Sequence, residues 1–146
     1  MKESDVVYNV IKVKLGENGK MPLRAHASDA GCDIYAAEDC VIGVGELKRV
    51  KTDLFMEIPQ GYYGDIRPRS SWFSDGCDVS GVIDSGYRGE VKVMIQNHNE
   101  FCRKIINKGD RIAQLLILPC PEFHFTEVEE LGDSDRGEGG FGSSGK

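Results

Sequence analysis

Asp84 and Tyr87 stand three residues apart in the segment Gly81-Val82-Ile83-Asp84-Ser85-Gly86-Tyr87-Arg88-Gly89, which puts a carboxylate and a phenol on one side of a Ser-Gly turn. A carboxylate so placed could orient and deprotonate a water, while a phenol ring could lie against a sugar and leave no room for a 2′-hydroxyl. Backbone groups at the mouth of such a hairpin, around Gly81 and Ile83, could pair with the edge of a base as another strand would. The plainer reading of these residues is a β-turn in which Asp84 bonds its own backbone.

Three further segments carry groups suited to anions. Arg69 and Ser70, between Pro68 and Ser71, offer a planar guanidinium fork and a hydroxyl that could donate to the bridging oxygen of a breaking phosphoanhydride. Asp33, beside Gly31 and Cys32, could orient the waters that a magnesium ion keeps when it travels on a triphosphate. Gln114 is the amide within the apolar run Ile112 to Leu118, and a buried amide needs partners, either neighbouring backbone or a phosphate. The alternatives are a surface arginine with a helix-capping serine, a solvated aspartate, and an Arg111 that ties its turn to the sheet.

The end of the chain, Arg136-Gly-Glu-Gly-Gly-Phe-Gly-Ser-Ser-Gly145, is too rich in glycine to order itself, since glycine loses the most backbone entropy and has no side chain to bury. Arg136, the Ser143 and Ser144 hydroxyls and unobstructed N–H groups such as that of Gly142 suit phosphate oxygens, and Phe141 offers one aromatic face. The segment reads as a lid for a nucleotide, against the bland alternative of a flexible linker.

Short strands must position these groups. Apolar residues alternate in Val7 to Leu15, in Leu54 to Ile58 and in Val91 to Ile95, and Gly64 to Arg67 reads as a strand leading to Arg69. The second of these runs ends at the turn signal Pro59-Gln60-Gly61 and the third at the turn Asn97-His98-Asn99. Ile112 to Leu118, closed by Pro119 and Pro121, fits a strand buried on both faces. A turn or two of helix is expected around Trp72 to Asp75 and no long helix anywhere. The pattern predicts an all-β sandwich or barrel: one domain over residues 1–132, with a C-terminal arm over residues 133–146. An extended arm that cannot sustain itself is commonly lent to a neighbouring copy, so a homo-oligomer is expected.

With 18 basic against 24 acidic residues and a net charge of −6, the balance argues against a broad polyanion-binding face and so against a nucleic-acid partner, and any phosphate must be held by a few local donors. No apolar stretch approaches the roughly 18 residues of a membrane span. Five cysteines, odd in number and never two residues apart, suggest neither a disulfide framework nor a zinc knuckle. With a charged start at Met1 to Asp5, the expectation is a soluble intracellular protein of the cytoplasm, with the nucleus left open. His26, His98 and His124 have no ligand-like spacing, and Pro119-Cys120-Pro121 lacks the second cysteine of a zinc deaminase.

In order and spacing, Ala30 to Ile34, Pro68 to Ser71, Gly81 to Gly89, Gly109 to Gln114 and Arg136 to Gly145 resemble the five motifs of the trimeric dUTPase family. The resemblance implies a jelly-roll-like β domain in a homotrimer whose active sites are each assembled from all three chains. It implies Mg²⁺-dependent hydrolysis of dUTP to dUMP and pyrophosphate, the reaction of a dUTP diphosphatase. By the same matching, Asp84 would activate the water that attacks the α-phosphorus, Tyr87 would exclude UTP, and Asp33 would order the metal's waters. Arg69, Ser70 and Gln114 would contact the phosphates, Arg136, Ser143 and Ser144 would hold the γ-phosphate, and Phe141 would cover the uracil. Ser71, Gly81, Ile83 and Gly142 complete the implied substrate-binding set.

Two positions depart from the commonest pattern. Cys32 stands where tyrosine or leucine is frequent, and Asp78 where some bacterial members carry a uracil-contacting asparagine, so Asp78 is left out of the site. Two rivals differ in chemistry: a dCTP deaminase of related fold, which would need a glutamate placed to work on the C4 amine, a role in which the neighbourhood of Tyr87 shows none, and a nucleotide-binding protein that has lost catalysis.

Overall fold

A computed structural model of the chain describes residues 10–142. Among the described residues, ten strands and one short helix run in the order β1 (Lys12–Leu15), β2 (Cys32–Tyr35), β3 (Cys40–Ile42), β4 (Leu47–Val50), β5 (Leu54–Glu57), β6 (Tyr62–Arg67), α1 (Ser70–Ser74), β7 (Cys77–Ile83), β8 (Val93–Asn97), β9 (Lys104–Ile106) and β10 (Arg111–Pro119). Six of them form one antiparallel sheet in the order β2-β10-β6-β7-β8-β4, and the ribbons β1-β5 and β3-β9 complete a jelly-roll-like all-β domain. Ile42, Leu54, Ile66, Ile95, Ile106 and Ile112 from these three sheets meet in one core and are buried almost completely. Each such side chain contributes about 1.5–3 kcal/mol relative to exposure.

β8 shows how sequence sets register. Val93, Ile95 and Asn97 are buried while Met94 and Gln96 are half-buried, the alternation of a strand with one face on the core. Asn97 is therefore a core residue and not only a turn residue. Its Nδ2 donates to the carbonyls of Ile42 and Gly43, each at 3.3 Å, and of Cys102 at 2.9 Å, while Oδ1 accepts from Asn99 N at 3.0 Å.

β10 pairs with β2 over Arg111 to Leu115 and with β6 over Gln114 to Pro119. Burial on both faces holds only for the first half: Ile112, Ala113 and Leu115 are buried, whereas Leu116, Ile117 and Leu118 are half-buried. The second half has lost its β2 neighbour, so an apolar face is left partly open. The first expected strand shortens to Lys12–Leu15, and Val7 to Asn9 lie outside the described residues.

The expected helical turns are α1, which buries Trp72 at 6% exposure. Ser70 does not cap it; Arg69 occupies the N-cap position without a side-chain bond. All five cysteines are free thiols. After β10, residues 120–134 form neither helix nor strand and leave Phe123, Phe125, Val128 and Leu131 in solvent. Among the described residues, no helix is long and apolar enough to cross a membrane.

Candidate active site

β7 pairs with β8 only from Cys77 to Ser80 and with β6 from Gly81 to Ile83. The hairpin therefore splays after Ser80, and the edge of Gly81 to Ile83 that faces away from β6 has no strand partner among the described residues. That edge opens on a cleft of about 280 Å³ lined by Gly81, Val82, Ile83, Asp84, Tyr87, Glu90 and Met94, with Arg49 and Lys92. Asp84 and Tyr87 thus share one cleft, as the Ser-Gly turn predicts. Tyr87 N donates to Asp84 O at 3.1 Å, closing the turn. The Asp84 carboxylate takes no hydrogen bond among the described residues, so the plain turn with a self-bonded aspartate is not what forms. Asp84 also reaches a second cleft, of about 540 Å³, with Ser85, Tyr62, Tyr63, Cys120 and Pro121. It stands on the ridge between the two.

The Tyr87 ring is held in place. Its Oη donates to Glu90 O at 2.7 Å, and it crosses Gly89 so closely that a Cβ there would lie 2.5 Å from Oη. The residue as a whole remains 44% exposed. Arg88 braces the same turn by donating to Ser85 O at 2.6 Å and pairing with Glu57 at 3.3 Å.

A second group gathers at the end of β6. Arg69 Nε and Arg111 Nη1 each stand 3.8 Å from an oxygen of Asp33. Asp33 is 17% exposed at its side chain, far from the solvated aspartate that is the default for this residue type. Arg69 also donates to Arg111 O at 3.5 Å, which joins the start of β10 to the segment after β6. Gln114 takes the backbone option, donating from Nε2 to Pro68 O at 2.9 Å. Its Oε1 would lie 2.8 Å from a Cβ on Gly31, which is why the residue two before Asp33 has none. Ser70, Gln114, Phe73, Leu116 and Leu118 line a cleft of about 560 Å³ with Arg67, whose guanidinium is pushed above its ordinary value by its 2.8 Å hydrogen bond to Asp65. Ser71, in α1, is exposed.

These two groups do not meet within one chain. Asp84 follows the Gly64–Ile83 pair and lies at the Tyr63 end of β6, whereas Arg69 and Ser70 follow its other end. At ~3.3 Å per residue of strand, the separation is ~20 Å. Arg136 and Phe141 are exposed on the arm, and Gly142 is the last residue described; Ser143 and Ser144 lie outside the described residues. Among the described residues no three His, Cys, Asp or Glu side chains cluster as a metal site. The lone Asp33 carboxylate between Arg69 and Arg111 fits a magnesium ion carried on phosphates, because Mg²⁺ keeps several waters and is typically bound through one or two carboxylates plus phosphate oxygens.

Glu90 and Met94 were not singled out by the sequence as cleft residues; the only signal was the period-two alternation that puts residues 90, 92 and 94 on one side of the chain. Glu90 does bring a glutamate into the cleft beside Tyr87, but its carboxylate is engaged by Thr52 N and Asp53 N. A small antiparallel β protein with one carboxylate-bearing hairpin and a separate guanidinium, hydroxyl and amide cluster is the class that fold and clefts define. Residues 17–145 match the family model for dUTPase. The chain is 40% identical over 143 residues to a deoxyuridine 5′-triphosphate nucleotidohydrolase of Clostridioides difficile, spanning 95% of this chain and 99% of that protein. It is 44% identical over 137 residues to one of Nautilia profundicola, spanning 91% and 96%. Among solved structures it superposes on the dUTPase of Staphylococcus bacteriophage 80alpha with dUPNHPP at a TM-score of 0.89 and 36% identity, covering 95% of this chain and all of that one. A dUTPase mutant from phage phi11 of S. aureus, solved for the coordination of a structural Mg(II) ion, gives 0.78 and 33%, covering 84% and 98%. The chain belongs to the dUTPase family.

Proposed function

We propose that this protein hydrolyses dUTP, taken up as its Mg²⁺ complex, to dUMP and pyrophosphate. The observation that carries the reading is the splayed hairpin, in which an unpaired strand edge, a free carboxylate and an anchored phenol ring line one cleft. Backbone N–H and C=O groups of Gly81 to Ile83 would pair with the uracil edge, and Tyr87 would pack on the deoxyribose, where a 2′-hydroxyl would meet its ring. Water held by Asp84 attacks the α-phosphorus, its proton passes to the carboxylate, and the bond from the α-phosphorus to the bridging oxygen breaks. The electron pair leaves with pyrophosphate.

Arg69, Ser70 and Arg136 would meet the charge that develops on that leaving group, with Ser71 and Gln114 fixing the phosphate chain. Ser143 and Ser144 would add hydroxyl donors and Gly142 a backbone N–H once the arm closes, and Phe141 would cover the base. The metal, when bound, neutralises phosphate charge, and Asp33 would order its waters. The two guanidinium groups at 3.8 Å flank Asp33 on both oxygens while staying beyond hydrogen-bond distance of them.

The ~20 Å between Asp84 and Arg69 is far more than one α-phosphate can bridge, so the site requires another copy of the chain. That separation and the apolar side chains that residues 120–134 expose support a site shared between copies, for which the homotrimer typical of the family would serve, with residues 1–132 as the domain and residues 133–146 as the lending arm. Pyrophosphate release from dUTP, dCTP, dTTP and UTP tests the reading. Selective dUTP turnover, nearly abolished in Asp84→Asn, is expected; ammonia release from dCTP, or dUTP binding without turnover, would overturn it.

A further inference from the structure

The residue that joins the Tyr87 ring to the body of the fold is Glu90. Its carbonyl accepts the Tyr87 hydroxyl at 2.7 Å. Its carboxylate Oε2 reaches back 37 residues to accept Asp53 N at 3.0 Å, and also takes Thr52 N at 3.3 Å. Two N–H groups from consecutive residues converging on one oxygen form a small anion nest, which a carboxylate fills from inside the protein. Glu90 is half-buried in the cleft that also holds Asp84 and Tyr87.

The bracket at the far end is itself fixed. Asp53 adopts a left-handed backbone conformation at φ 50°, uncommon for a residue with a side chain. Gly16 N donates to Asp53 O at 2.8 Å, and Asn18 N donates to an Asp53 carboxylate oxygen at 3.1 Å. The Thr52 hydroxyl, almost fully buried, donates to Val91 O and accepts from Leu54 N. Val91 N donates to Leu54 O at 2.8 Å. The segment after Tyr87 is therefore stitched to the β4–β5 turn by the Glu90 carboxylate and by the Val91 backbone, and the phenol ring inherits its position from that seam.

We infer that Glu90 is the positioning residue for sugar discrimination: the Glu90 clasp on Thr52 and Asp53 holds the carbonyl that fixes the Tyr87 hydroxyl, and so sets how close the ring stands to the 2′ position of the nucleotide. This rests on the dUTP reading above. Loss of the clasp leaves Glu90 held to that turn only through the backbone bonds of Val91 and the bridge to Phe55, and lets its carbonyl, and the ring bonded to it, shift by the fractions of an ångström that decide whether a 2′-hydroxyl fits. An amide retains an oxygen acceptor of the same reach, so glutamine preserves the geometry and alanine does not.

The test compares kcat and KM for dUTP and UTP in the wild type, Glu90→Gln, Glu90→Ala and Tyr87→Phe, with melting curves for all four. The expected result is an approximately tenfold fall in the dUTP-to-UTP ratio of kcat/KM for Glu90→Ala and for Tyr87→Phe, carried mainly by KM, and recovery of most of the ratio in Glu90→Gln. Backbone amide shifts of Thr52 and Asp53 in the two Glu90 variants supply an arm independent of turnover, moving in Glu90→Ala and staying near the wild type in Glu90→Gln. If Glu90→Ala melts lower yet discriminates like the wild type, Glu90 is a structural brace only and the inference is wrong. Absence of dUTP turnover in the wild type would instead overturn the functional reading.

Discussion

Replacing Gly89 by alanine should spare the fold and damage sugar recognition. A Cβ at that position would stand 2.5 Å from Tyr87 Oη, 2.7 Å from Cζ and 3.0 Å from Cε1, all closer than non-bonded contact allows. The atoms in the way are the far end of a side chain, so the ring can swing aside, breaking the 2.7 Å bond from Tyr87 to Glu90 O. Loss of that partly exposed hydrogen bond costs about 1 kcal/mol. Gly89 is not among the residues with positive φ, so alanine also restricts the unfolded chain and returns roughly 0.4–1 kcal/mol. The two nearly cancel, and Tm should move by no more than about 3 °C. Selectivity has no such offset. With the ring displaced by an ångström or more, the wall against a 2′-hydroxyl is lost, and the dUTP-to-UTP ratio of kcat/KM should fall by about tenfold or more. Parallel kinetics on both nucleotides, with a melting curve, decide it. A ratio equal to that of the wild type would refute the claim that the ring's position over Gly89 excludes ribose.

Other consequences follow from the same geometry. In Gly31→Ala the new Cβ would stand 2.8 Å from Gln114 Oε1, displacing the amide from Pro68 O, and kcat/KM for dUTP should drop about tenfold; unchanged kinetics would remove Gln114 from the phosphate site. Asn97→Ala deletes the donor shared by Ile42 O, Gly43 O and Cys102 O, so urea unfolding should show a loss of about 3 kcal/mol with little change in activity per folded molecule. Burial pushes the Cys77 thiol up, so iodoacetamide at neutral pH should label exposed Cys102 and Cys120 and reach Cys77 only in denaturant. Linkage gives the sign. As pH rises through the thiol range the unfolded chain ionises Cys77 first, so its contribution to stability is full below that range and falls above it, a slope that Cys77→Ala should reduce.

Strands with four or more alternating residues were legible in the sequence, as for Leu54 to Ile58, because period two is a local property. β3, β4 and β9 were not. Cys40–Ile42 and Lys104–Ile106 have three residues each, too short to display a period, and they form only by pairing across more than sixty positions of chain, which no local window contains. Asn97 was read as a turn because its partners at Ile42, Gly43 and Cys102 become neighbours only in the folded sheet. Asp84 and Tyr87 were legible because a tight turn brings them together by itself. The opposite holds for Glu90, whose clasp depends on Thr52 and Asp53. Asp33 could be told from the other aspartates by its motif, but its two arginine neighbours were visible only in space.

The central claim is that no single chain carries a complete site, and mixing tests it most directly. Asp84→Asn protomers and protomers ending at Asp135 should each be inactive alone, the first lacking the base and the second the lid. Unfolded together and refolded as mixed oligomers, they should regain about a quarter of wild-type dUTP turnover, because random assembly pairs an intact Asp84 with an intact arm in about one site in four. Refolded mixtures of confirmed oligomers that stay as inactive as either parent would show that Asp84 and the arm act from the same chain, and the shared site would be wrong.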